Sequence, residues 1–124
     1  MLLSLIAVLG SVSVTVNTPN PEGDMYVSIC SEDTFLSGRC EHGQRRAASP
    51  EDVFVFDDIP AGDWAIQVWR DPEGDGEMRT MAFGIPAEPI TISNDPPMNF
   101  GPPRFADAAV AVSEDGAEIS LSVN

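Results

Sequence analysis

The feature that most constrains this chain is the period of its apolar residues, which is two along most of its length and almost nowhere 3.6. Val12, Val14 and Val16 alternate with polar neighbours in "VSVTV", as do Met25, Val27 and Ile29 in "MYVSI" and Ile119, Leu121 and Val123 in "ISLSV". With "VFVF" (Val53 to Phe56), "WAIQVW" (Trp64, Ile66, Val68), "ITI" (Ile90 to Ile92) and "AVAV" (Ala109 to Val112), these make seven segments of strand length. Between them lie "NTPNPEGD", "SPED", "DIPAGD", "DPEGDG", "NDPP" and "SEDG", which supply Pro, Gly, Asn and Asp where a chain reverses. Strands with one apolar face must cover one another, and 124 residues suffice for two packed sheets. The expected fold is all-β, a single antiparallel β-sandwich of about seven strands. Its last pair, "AVAVSEDGAEISLSV", reads as a hairpin closing on Asp115–Gly116, with Val110 and Val112 facing Ile119 and Leu121.

That length fits one domain, and a hydrophobic content of 43% supplies a core. The apolar run "MLLSLIAVLG" matches the core of an export signal and is far too short to span a bilayer, although no basic residue precedes it. Residues 1–11 are therefore assigned to a shortened signal segment, or else to a first strand, and residues 12–124 to the sandwich. Cys30 and Cys40 enclose nine residues, and in an oxidising compartment a disulfide between them would contribute roughly 3 kcal/mol. Adding the neighbouring His42 gives three soft ligands where a structural zinc needs four, so the disulfide is preferred. The protein is expected to be periplasmic or secreted.

The net charge of −14, with 20 acids against six arginines, repels phosphate backbones and anionic lipid, which leaves nucleic acid and membrane surfaces as poor partners. Cations suit the chain better. In "RDPEGDGE", Asp71, Glu73 and Asp75 stand at the first, third and fifth places with Gly76 sixth and Glu77 next, as in the front half of a calcium loop. Arg79 and Ala82 occupy the ninth and twelfth places, so the closing bidentate carboxylate of an EF-hand is missing. Asp71, Glu73, Asp75 and Glu77 are thus candidates for a weak calcium site, and the alternative is a glycine-rich turn. Calcium is the one cofactor the sequence suggests.

Material for catalysis is thin. His42 is the only histidine, and no glycine-flanked serine nucleophile occurs. Paired carboxylates acting on polysaccharide remain a third reading, since any of the 20 acids might meet in space. Arg39, Arg45 and Arg46 are expected to pair locally with Glu41, Glu51 or Asp52. Six of the 11 prolines fall between Pro86 and Pro103, a stiff crossover whose apolar residues either seal one end of the sandwich or present a binding edge. Phe83, Met98 and Phe100, with Met81 nearby, are the candidates for that edge.

The stretch "FDDIPAGDWAIQVW" at residues 56–69 resembles carboxypeptidase-regulatory and transthyretin-like sandwiches. Followed in order by "RDPEGDGEM", "GIPAEP", Ser93–Asn94 and "FGPPRFADAA", it is similar to a bacterial exported family, domain of unknown function 2141. The resemblance covers about Val12 to Val123. It implies an extracytoplasmic β-sandwich, immunoglobulin-like or transthyretin-like, behind a signal peptide, and it brings no established activity. The family's acidic loop is usually rich in Asp and Asn and ends with a further Asp. Here Glu73 and Asp75 replace amides, Arg79 stands at the closing position, and Ile92 replaces the aromatic that tends to precede the Ser–Asn pair. The expected function is non-enzymatic: binding or structural attachment, with a protein, peptide or carbohydrate as partner and the proline-rich edge as an alternative ligand site.

Overall fold

The computed structural model describes residues 8–74, 76, 89–96 and 102–124. Their order is β1 (Leu9–Asn17), β2 (Asp24–Cys30), β3 (His42–Ala47), β4 (Glu51–Pro60), β5 (Gly62–Asp71), β6 (Ile90–Ile92), α1 (Phe105–Ala108), β7 (Ala109–Val112) and β8 (Ala117–Ser122). All seven segments of period two are strands. Leu9, Gly10 and Ser11 run into β1, while residues 1–7 lie outside the described residues.

Two sheets pack face to face. One has the order β4-β1-β8, the other β3-β2-β5-β6, with β7 also paired to β5. The alternating residues meet between them: Val12, Val14, Val27, Ile29, Phe54, Ile66 and Val68 are all fully buried. A smaller cluster sits on the outer face of the second sheet, where Ala65, Ile92 and Ala108 are covered by Phe35 and Phe105. The Phe35 and Phe105 rings meet edge to face with centroids 5.8 Å apart. Among the described residues, no helix is long and apolar enough to cross a membrane.

Three features depart from the sequence reading. The eighth strand, β3, has the sequence "HGQRRA" and carries no apolar alternation. It forms because β2 offers a free ladder edge, with Tyr26 opposite Arg45 and Val27 opposite Gln44. Second, the turn at 113–116 closes, its Gly116 amide donating to the Ser113 carbonyl at 2.8 Å, but β7 and β8 are not a hairpin. β7 pairs with β5 (Val110 opposite Trp64), and β8 pairs with β1 (Ile119 opposite Val14), so the turn carries the chain from one sheet to the other. Crossing over lets Val112 and Val123 both enter the shared core. Third, β1 and β8 run parallel, so the sandwich is mixed.

The two sides of the sandwich are closed differently. Between β3 and β4, Arg46 donates to the Val53 carbonyl and the Asp52 carboxylate, both at 3.0 Å, and its guanidinium lies 4.4 Å from the centre of the Phe54 ring. Gln44 donates to the Val55 carbonyl at 2.7 Å. Between β6 and β8 the Thr91 hydroxyl donates to the Ser122 carbonyl at 2.7 Å.

Candidate functional site

Pairing β2 with β5 sets Asp24 opposite Asp71 at the end of the second sheet, where two carboxylates on neighbouring strands repel. Arg45, one strand further over, answers that charge. Its Nε and Nη2 donate to the same Asp24 oxygen at 3.0 and 2.6 Å, and Nη2 also reaches the Gly74 carbonyl at 3.3 Å. The hydrogen bond to Asp24 raises the Arg45 pKa above its ordinary value, and the Asp71 charge adds to the effect. The guanidinium lies 5.0 Å from the centre of the Tyr26 ring, which stacks on Trp69 at 4.4 Å. A row of Arg45, Tyr26 and Trp69 thus lines the outer face beside the acidic loop.

Asp71 shapes that loop. It is wholly buried, one carboxylate oxygen accepting the Gly74 amide at 3.1 Å and the other the Gly76 amide at 2.7 Å. Both glycines take left-handed backbone angles, φ +66° and +76°, which bring their amides back over the carboxylate. Gly23, at φ +78°, packs so closely on the Asp71 carbonyl and Pro72 that a Cβ would collide with them. Of the four carboxylates expected to share a metal, Asp71 faces into the turn and Glu73 is exposed, while Asp75 and Glu77 lie outside the described residues. Among the described residues, no three His, Cys, Asp or Glu side chains gather as a metal site.

Cys30, at the end of β2, is joined to Cys40 by a disulfide with the Cα atoms 4.6 Å apart. The loop it closes is braced by Glu41, the residue after Cys40, whose Oε1 accepts the Thr34 hydroxyl at 2.6 Å and the Ser31 amide at 3.2 Å. Hydrogen bonds from Ser31 and Thr34 pull the Glu41 pKa from 4.5 down to about 2. Gln67 ties this loop to β5 by accepting the Leu36 amide at 3.2 Å. His42 packs edge-on against Trp64, ring centroids 5.4 Å apart. The proposed binding edge, Phe83, Met98 and Phe100 with Met81, lies outside the described residues.

The Ser93–Asn94 pair turns out to be a fastener. Ser93, 1% exposed, accepts the Ile66 amide at 3.0 Å and donates to the Ala108 carbonyl at 2.5 Å; Asn94 donates to the Ala109 carbonyl at 3.0 Å. It joins β5 to the α1–β7 junction. Arg46 pairs with Asp52 as the sequence suggested, whereas Arg45 reaches Asp24, a partner that only the register of the unforeseen β3 reveals.

No curated protein and no solved structure matches the chain. The family described as "Uncharacterized protein conserved in bacteria (DUF2141)" matches residues 12–120. That span takes in the acidic loop, the Ser–Asn fastener and the helix-to-strand junction it holds, and the chain belongs to this DUF2141 family.

Proposed function

We propose that this protein is a non-enzymatic, exported β-sandwich domain that works by binding or by structural attachment. The observation that carries the reading is that, among the described residues, several side chains with reactive chemistry are engaged in building the fold. Asp71 accepts two loop amides, Glu41 holds the disulfide loop, Ser93 bridges β5 and α1, and Cys30 and Cys40 are bonded to each other. Export is supported by that disulfide, which persists in oxidising compartments, and by the apolar run at residues 1–10. Thiol titration of the exported, denatured, unreduced protein tests this. No titratable thiol is the expected result, and two would remove the argument for export.

In this reading the acidic stretch is a turn shaped by Asp71, with Arg45 bonded to Asp24 and the Gly74 carbonyl beside it. A second reading, a weak calcium site, is favoured by one observation: the Gly76 amide returns to Asp71 at 2.7 Å, the bend that a calcium loop makes at its sixth residue. A calcium titration of the native protein separates the two.

A further inference from the structure

We infer that the free edge of β8 is a docking site for a short, extended, basic polypeptide segment, added to the sheet as an extra strand. The Val123 amide donates to the Asn17 carbonyl of β1 at 2.9 Å. Because main-chain groups alternate sides along a strand, residues 119, 121 and 123 serve the β1 ladder and residues 118, 120 and 122 point the other way. The Thr91 hydroxyl on the Ser122 carbonyl, at 2.7 Å, marks that outward direction. Among the described residues, nothing pairs with the main chain of Glu118 or Ser120 on this side.

The two edges of the three-stranded sheet therefore differ. On β4, Arg46 and Gln44 cover the successive outward carbonyls of Val53 and Val55. On β8, among the described residues, only Ser122 is covered, and beyond it the edge opens into a groove of about 400 Å³ lined by Ser93, Asn94, Asp95, Ile119, Ser120 and Leu121. Its rim holds Asn94 and Asp95 in left-handed backbone, fixed by the Asn94 bond to Ala109, so the groove wall is pre-shaped. The half-buried Ile119 and Leu121 give it an apolar floor.

Charge decides what fits. Asp95 lines the groove, Glu118 lies on the strand itself, and Glu114 and Asp115 sit on the turn that leads into it. A second copy of this chain, at −14, would bring like charge to the same edge, whereas lysine and arginine side chains on an added strand would meet these acids. Unpaired N–H and C=O groups supply affinity in strand addition, and flanking charge supplies selectivity.

The inference rests on the reading of the domain as a binding module, and its test is independent of the thiol titration. The probe is the peptide acetyl-Arg-Val-Lys-Val-Arg-amide, followed by amide NMR of the full chain. A second peptide carries N-methyl groups on both valines, and a third replaces the basic residues by glutamate. The expected result is saturable shifts at the Glu118 and Ser120 amides, with affinity at least ten-fold lower for each control peptide. Ser120→Pro removes an N–H aimed at the groove but none from the β1 ladder, so it should keep the thermal midpoint within a few degrees and abolish binding. Equal binding of the N-methylated peptide, shifts confined to other strands, no binding at all, or dimerisation of the chain through β8 would each overturn the inference. Should Ser120→Pro fail to fold, the N-methylated peptide still decides. A failed peptide titration with both cysteines oxidised would leave the exported, non-enzymatic reading standing.

Discussion

Asp71 and Gly76 close the acidic turn on itself: the Gly76 amide donates to the Asp71 carboxylate at 2.7 Å, beneath a surface that leaves Asp71 fully buried. Asp71→Asn sets an amide nitrogen against one of the two loop N–H groups. The loss of one bond and the clash of donors should cost about 1–3 kcal/mol in urea unfolding, where an ordinary exposed turn would show almost nothing.

Gly23 and Gly38 share a backbone angle of φ +78° but not a neighbourhood. A Cβ on Gly38 meets nothing, whereas one on Gly23 runs into the Asp71 carbonyl and Pro72. Gly38→Ala should cost about 1–2 kcal/mol, the ordinary expense of a left-handed residue, and Gly23→Ala clearly more. Equal losses in a denaturant titration would show that the loop does not pack on Gly23.

Reduction of Cys30–Cys40, or the double change to alanine, should lower stability by roughly 3 kcal/mol, because the unfolded chain regains the freedom of the closed loop. Paired urea titrations with and without reductant measure it, and an unchanged midpoint would make the bridge incidental to the fold.

The sandwich was legible because burial imposes period two on any strand with one face inside, and all seven segments that show it are strands. β3 was not legible: "HGQRRA" is held by the ladder of β2 and by the polar reach of Gln44 and Arg46, neither of which leaves an apolar pattern. Missing β3 also hid the Asp24–Arg45 pair, since only its register brings the two together. The hairpin reading of β7 and β8 failed because local turn chemistry fixes a reversal but not which sheet each strand joins. The Ser93–Asn94 pair carried a family resemblance without a reason, and its role depends on contacts 15 residues away at Ala108 and Ala109.

Ser93→Ala would strip the Ile66 amide and the Ala108 carbonyl of their partner in a buried site. At roughly 1–3 kcal/mol for each unsatisfied group, this should rank among the more damaging single-atom changes, seen as a lower urea midpoint and faster hydrogen exchange at Ile66. Normal exchange there would mean that the bridge is replaceable by water.

Glu41 has its pKa held down to about 2 from 4.5, so its contribution to stability is fully present above pH 4.5 and is lost as the pH falls toward 2. Wild type should exceed Glu41→Gln in urea midpoint at pH 6, and the gap should close near pH 2. A gap that stayed constant across this window would assign the effect to packing rather than charge.

The Asp71 carboxylate locks the turn through the Gly74 and Gly76 amides, and Arg45 pairs with Asp24 beside it. This arrangement is tested most directly by the thermal midpoint of the protein in excess calcium, in excess magnesium and in chelator, with Asp71→Asn, Asp75→Asn and Arg45→Ala alongside. The wild-type midpoint should be the same in all three solutions, and that of Arg45→Ala lower. A calcium-specific rise that either aspartate variant abolishes would contradict it, because a ligand that binds only the folded state stabilises that state, and the loop would then be a metal site.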